Sequence, residues 1–327
     1  MSWRLLACLI GASLMSFDAG LAQQAASAWP TKQVRLIVPY PAGGPTDLIA
    51  RLLSQKLGER FASQTFVVEN VAGASGAIGA GRVAQSAPDG HTLLVATNDF
   101  AVASVTTANL PYDPVAQFVA VSIVATSPQV IAVHASVPAT SIKELVELVR
   151  AAPDKYSYAS MGIGYGQLSA VRLFQLGLKL DKLARVPFNG AAPAIDSTLG
   201  GHTQIIYMGL PPAAPQISAG KLRALGVTSA ARTKAFPQIP TLTEQGLSDQ
   251  ETELLIGVIA PAGTPADVVS LLHKQIAAIV ALPDVASTLS MISFQPVAST
   301  PAEFAAQIKS DIAVWSKVMK DAGIAAN

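Results

Sequence analysis

The chain has 327 residues, half of them apolar and 13% charged, with a formal net charge of +1 and one cysteine. Near-neutral charge, with no basic run carrying interleaved aromatics, argues against nucleic acid and anionic membrane surfaces as partners. One cysteine excludes an internal disulfide and a multi-thiolate metal centre, and the length and apolar content suit an α/β protein of two domains with buried parallel strands.

In chain order, residues 1–4 carry one positive charge, residues 5–15 are apolar, and Gly20-Leu21-Ala22 offers small residues before a cut. This is the pattern of a secretory signal peptide cleaved after Ala22, which predicts an exported, periplasmic chain. Cys8 lies inside this segment, ahead of most of its apolar core, which is a poor context for lipidation. The exported chain then has no cysteine and must be held by its core. No later stretch reaches about 18 unbroken apolar residues, the length needed to span a bilayer.

The run Val34–Val38 reads as a buried strand, broken at Pro39-Tyr40-Pro41 and followed by Gly43-Gly44. A helix is predicted over residues 47–61, with Leu48, Leu52, Leu53 and Leu57 on one face. A strand, a glycine turn and a helix start leave free N–H groups that suit an anion. An ordinary turn with Thr46 or Asp47 as N-cap fits the same residues. A second strand at 66–68 leads through small residues at 72–79 into a helix ending at Gln85. A third strand is predicted over 91–97, ending at Thr97-Asn98. Three such units with short connections imply a parallel sheet with right-handed crossovers.

Residues 119–133 are too long for a typical strand and read as a crossing between domains. A helix over 141–150 follows, then a second set: strand 156–160, glycine loop 161–166, helix 167–176, strand Ala184–Phe188, turn Asn189-Gly190, helix Ala191–Leu199, strand 204–208, a short helix and strand Leu222–Val227. Residues 254–260 read as the return crossing. Helices at 266–281 and 301–322 flank a small strand at 294–297. The predicted lobes are residues 23–125 with 252–327, and 126–251. Ligands of such sheets sit outside the strands' carboxyl ends, here in the cleft between lobes.

The chemistry candidates are few. Gly79-Ala80-Gly81-Arg82-Val83-Ala84 matches a dinucleotide fingerprint in letters, but it lies about ten residues beyond the strand and inside a helix. His91, His134, His202 and His273 lack metal-ligand spacing. Ser160 has no G-x-S-x-G context. No nucleophile and base can be assembled, so neither catalytic residues, a metal nor a cofactor is expected. What remains are four loops at helix starts: 40–47, 73–79, 162–166 and 189–192. Their N–H donors can hold a carboxylate without an arginine, while the same small residues also permit close helix–sheet packing.

Across nearly the whole chain these segments resemble one family. Ile37-Val38-Pro39-Tyr40-Pro41-Ala42-Gly43-Gly44-Pro45-Thr46-Asp47, Asn70 with Gly73-Ala74-Ser75-Gly76, and Ala87-Pro88-Asp89-Gly90-His91-Thr92-Leu93 are similar to the Bug family, the substrate-binding proteins of tripartite tricarboxylate transporters. Tyr158-Ala159-Ser160, Val186-Pro187-Phe188-Asn189-Gly190, Ala219-Gly220-Lys221-Leu222, Pro240-Thr241 and Ala260-Pro261-Ala262-Gly263-Thr264-Pro265 continue the match in family order.

The resemblance implies a type II periplasmic binding protein fold, two doubly wound lobes joined by two crossing strands. It implies capture of a small carboxylated solute for a membrane permease by a monomer that is not an enzyme. Carried over by position, the ligand contacts are Tyr40, Ala42, Gly43, Gly44, Thr46 and Asp47, then Ala74, Ser75 and Gly76, then Thr97 and Asn98. The other lobe supplies Ser160, Gly164, Tyr165, Asn189, Gly190 and Ala191. Asp47 is expected to cap its helix and order the loop, not to face an anion. Two departures stand out: Val71 where the family often has a basic residue, and Tyr207-Met208 where it often has an aromatic–Asp pair. Met208 predicts an apolar or aromatic far end for the ligand. The same fold also serves sensors that signal to a membrane receptor kinase, and an exported hydrolase or lyase is the remaining alternative.

Overall fold

The computed structural model describes residues 29–61, 64–162 and 164–326; the expected leader, with Cys8, lies outside them. The first stretch holds β1 (Val34–Val38), α1 (Pro45–Arg60), β2 (Phe66–Asn70), a 3-10 turn (Ala74–Gly76), α2 (Ala77–Ala84), β3 (Thr92–Thr97), α3 (Asp99–Thr106) and β4 (Phe118–His134). Then come α4 (Ile142–Ala151), β5 (Ser157–Met161), α5 (Tyr165–Val171), which runs on as a π-helical turn (Arg172–Gly177), β6 (Ala184–Phe188), α6 (Ala191–Leu199), β7 (Ile205–Gly209), α7 (Leu210–Ser218) and β8 (Leu222–Val227). The last stretch is β9 (Glu253–Pro261), α8 (Ala266–Val280), α9 (Pro283–Met291), β10 (Gln295–Pro296) and α10 (Pro301–Asp321). The helices α3 and α9 were not predicted, and α5 starts at Tyr165, before the predicted residue 167.

Strand β1 lies between β2 and β3, all parallel. It is nearly all apolar because helices cover both faces of the sheet. Strand β9 runs antiparallel between β3 and β4. In the second lobe β5 lies between β6 and β7, all parallel. Strand β4 belongs to both lobes. Its residues up to Pro128 pair with β9, and from Gln129 they pair with β7. The return is made where Thr252 donates to the Thr228 carbonyl at 3.2 Å, just before Glu253 pairs with Pro128.

Each lobe has an apolar core on both faces of its sheet. In the first, Leu36, Ile49, Leu53 and Leu272 fill one side, and Ile37, Val83, Phe100 and Phe304 the other. In the second, Ile131 and Val133 of β4 face Leu145, Phe174 and Tyr207. Their neighbours Val130 and Ala132 face Ile195 and Met208, as strand alternation requires. A fifth cluster joins the lobes: Val102 of α3 and Trp315 and Val318 of α10 pack on Tyr165, Leu168 and Val171 of α5.

Helix α10 begins with a capping box, in which the Thr300 hydroxyl accepts the Glu303 N–H and the Glu303 carboxylate accepts the Thr300 N–H. Further along it buries Asp311, which accepts from Gln307 Nε2 at 2.8 Å and from Asn98 Nδ2 at 3.4 Å. Burial pushes its pKa to about 6 against these two bonds. The native state therefore binds a proton here that the unfolded chain has already lost between about pH 4 and 6. The stabilisation is full below the unfolded value and disappears as pH rises through about 6. Thermal melts should show wild-type stability rising from pH 7.5 to 5, with Asp311→Asn flattening that rise by about 1.4 kcal/mol. Equal pH profiles in the two proteins would count against a buried, protonatable Asp311.

Candidate functional site

Strand register brings two sets of carboxyl ends together. Thr97, the last residue of β3, pairs with Ile256, whose partner on β4 is Ala125. Gly209, the last residue of β7, pairs with Gln129. Strand β7 runs against β4 while β3 runs with it, so the two sheets point their carboxyl ends at each other across four residues of β4. The loops after β1, β2, β3 and β5 gather around that gap.

In the first lobe the loop after β1 is held from beneath by Asp47. Its Oδ2 accepts the Gly43 N–H and Arg51 Nε, both at 2.9 Å, and its Oδ1 accepts Asn70 Nδ2 at 3.0 Å. Asn70 Nδ2 also donates to the Tyr40 carbonyl at 3.1 Å. Burial raises the Asp47 pKa, but the bonds from Arg51, Gly43 and Asn70 outweigh it and hold the carboxyl below its usual range. The N-cap of α1 is Gly44, with Pro45 at the first helical position and no side-chain cap. Asp47 thus orders the loop without capping the helix. It also takes the Gly43 N–H away from any ligand, which leaves the N–H groups of Gly44, Thr46 and Asp47 at the helix start; Ala42 is exposed beside them.

The second loop is tightly left-handed. Gly73, Ala74, Ser75 and Gly76 have φ of 137°, 46°, 52° and 96°. Positive φ at two successive non-glycine residues costs on the order of 1–3 kcal/mol each, and such outliers concentrate at binding sites. Gly76 in αL and Ala77 in αR close the turn on itself, their N–H groups donating to the Gly73 and Ala74 carbonyls. A Cβ on Gly76 would come 3.5 Å from the Tyr40 hydroxyl. That hydroxyl lies 2.7 Å from Thr97 Oγ1, which joins the first two loops to the end of β3.

The residue after Asn98 closes the gap. Asp99 Oδ1 accepts the Tyr165 N–H of the second lobe at 2.9 Å, and its own N–H donates to Thr97 Oγ1 at 3.3 Å. Burial pushes the Asp99 carboxyl to about 6, against the lowering effect of the Tyr165 N–H and of the Thr97 hydroxyl. Burial and the Asp99 charge raise Tyr40 well above 10, so Tyr40 is a neutral donor. Gly164 has φ of 112°, and a Cβ there would lie 2.5 Å from Asp99 Oδ1. Nearby, Arg185 of β6 donates to Ser160 Oγ at 2.7 Å and to the Gly162 carbonyl at 2.5 Å, fastening the loop that carries Gly164.

Three expectations are corrected. Asn98 does not face the cleft: its Oδ1 accepts the Leu255 N–H at 2.8 Å and its Nδ2 donates to Asp311, both inside the first lobe. Met208 is not at the surface of the cleft loops: alternation turns it into the second-lobe core beside Val130 and Ile206. Ser160 is fully buried, its hydroxyl committed to Arg185. Asn189 and Gly190 stay exposed at the start of α6, with Ala191 half-buried behind them. The residues that sequence reasoning missed are Asp99 and Arg185. A groove of about 630 Å³ separates Gly43, Pro45 and Leu48 of one lobe from Pro211, Pro212 and Pro215 of the other, and Ile292 and Ser293 also line it.

Comparison with known proteins places this geometry. The family model for the tripartite tricarboxylate transporter family receptor, TctC, matches residues 49–324. Protein BugT of Bordetella pertussis is 31% identical over 300 residues, 91% of this chain and 91% of that one. The solved structure of Rpa4515 of R. palustris with adipate is 33% identical with a TM-score of 0.80, over 91% of this chain and all of the other. MatC of Rhodopseudomonas palustris with bound malate is 29% identical with a TM-score of 0.75, over 89% and 99%. The chain therefore belongs to the TctC/Bug family of solute-binding receptors, and its fold is that of a periplasmic binding protein.

Proposed function

We propose that this protein is exported, captures a small carboxylate between its lobes and presents it to a membrane permease of the tripartite tricarboxylate type. The observation that carries the reading is that the hydroxyls of Tyr40 and Thr97 meet beside Gly76 and the N-terminus of α1, across the gap from Gly164 and Tyr165 of the other lobe. Related proteins hold adipate and malate. The proposed lobes are residues 23–125 with 252–327, and 126–251, closing about Pro128–Gln129 and Thr252. Closure would be a population shift driven by contacts that only the closed state makes.

Recognition by backbone N–H groups has a direct test. Gly44 sits at φ −77°, which proline accepts, so Gly44→Pro deletes one donor with little strain. Titration calorimetry with adipate, malate, aspartate and benzoate should give a Kd for the best acid that Gly44→Pro weakens at least about tenfold, the scale of one charge-assisted bond. Gly76→Pro, at φ 96°, should abolish binding. Ser75→Ala should cost only about 1 kcal/mol, one neutral hydrogen bond. Unchanged affinity in all three would place the site elsewhere.

Closure can be read separately. Cysteines placed at Leu48 and Ser218, on opposite lips of the groove, can carry spin labels without interference in a protein made without the leader, since Cys8 is the chain's one cysteine. The best acid of the panel should shorten the label distance by several ångströms. A distance distribution unmoved at saturation would leave a binder that does not close.

A further inference from the structure

Asp99 is a residue the family resemblance did not point to, and it bridges the two lobes. Its carboxylate accepts the Tyr165 N–H at 2.9 Å across the gap. Among the described residues, and apart from the hinge stretches at 126–129 and 249–253, this is the hydrogen bond that joins the two lobes. The fit is built on both sides. Gly164, at φ 112°, leaves a space that a Cβ would close to 2.5 Å from Asp99 Oδ1. Thr97 Oγ1 bridges the Asp99 N–H to the Tyr40 hydroxyl, so the carboxylate stands one residue away from the first-lobe wall. Among the described residues Asp99 has no Lys, Arg or His within ion-pairing distance.

A ligand seated by one carboxylate on the first-lobe donors extends toward this group. An uncharged far end meets it without electrostatic cost. A second carboxylate brings like charge against an anion that is partly withdrawn from water, where screening is weak. We propose that Asp99 is a specificity-determining residue that makes this cleft select monocarboxylates over dicarboxylates of the same skeleton. The inference rests on the carboxylate-binding reading given above. It sets this chain apart from the relatives whose structures hold adipate and malate, both dicarboxylates. The pKa of about 6 leaves Asp99 largely ionised at pH 7.5, the condition in which the discrimination operates.

The test uses two matched pairs, hexanoate with adipate and benzoate with terephthalate, each differing by one carboxylate. Titration calorimetry at pH 7.5 compares the wild type with Asp99→Asn, and with Asp99→Ser should the first variant melt early. The wild type should bind at least one monocarboxylate about tenfold or more tighter than its partner diacid, and Asp99→Asn should narrow that ratio to within about threefold by tightening the diacid. A wild type that prefers the diacid, or a ratio unchanged in a variant that melts like the wild type, overturns the role of Asp99 alone. Failure of all four acids to bind either protein overturns the carboxylate reading and this inference with it.

Discussion

The double pairing of β4 is the constraint on which the rest depends. One strand of 17 residues gives its first part to β9 and its second to β7 and β8. Because β7 runs against it, the second sheet is turned end-on to the first, and every parallel strand in the molecule ends at the same gap. The first part of β4 is irregular, with register shifts between Ala120 and Ser122 and between Ile123 and Ala125. Such shifts leave ladder groups unpaired. The chain around β10 supplies the partners: Ser299 Oγ accepts the Ile123 N–H at 2.9 Å, and the Ser299 and Val297 N–H groups donate to the Ile123 and Val124 carbonyls at 3.1 and 3.0 Å, while Ser122 Oγ and Ser127 Oγ donate back to the Ser299 and Ser293 carbonyls, each at 2.7 Å. The same short segment therefore buttresses the strand just before it passes into the other lobe.

Much of this was legible in the sequence, and the reasons differ by element. Helix Ala191–Leu199, flanked by Gly190 and Gly200, and strand Leu222–Val227, which follows the turn at Gly220, were predicted residue for residue. Helix α9 carried a signal, Pro283 at its first position, that a short apolar run obscured. Helix α3 carried none. It follows β3 after a single residue, and its buried Phe100, Ala101 and Val102 continue the apolar character of the strand.

The site was legible as a set of loops but not as a set of side chains. At the end of β3 two polar residues stand together, and the sequence does not say which enters the cleft. That is settled by the turn into α3, which swings Asp99 toward Tyr165 and sends Asn98 to Leu255 and Asp311. On β7 both faces are buried, so apolar character cannot distinguish the core face from a ligand face, and Met208 falls on the core side. Arg185 lies on an edge strand where a charged residue is ordinary, and only its reach to Ser160 and Gly162 marks it out.

A site made of backbone donors faces a particular difficulty. Glycine loops expose N–H groups, but loops that glycine makes possible are also loops that glycine leaves free to collapse, and ordering them on binding would subtract from affinity. Both lobes meet this with a polar side chain placed behind the loop, not in it. In the first lobe Asp47, balanced by Arg51 and Asn70, fixes Gly43 and, through Asn70, the carbonyl of Tyr40. In the second Arg185 fixes Gly162 through its carbonyl and Ser160 through its hydroxyl. The charges are opposite because the groups they hold are opposite: an N–H needs an acceptor, a carbonyl needs a donor. Neither buttress needs to touch the ligand to matter, since each keeps a loop in one geometry before the ligand arrives. Asp99 differs from both in that it stands behind no loop but spans the gap, its carboxylate accepting the Tyr165 N–H of the other lobe.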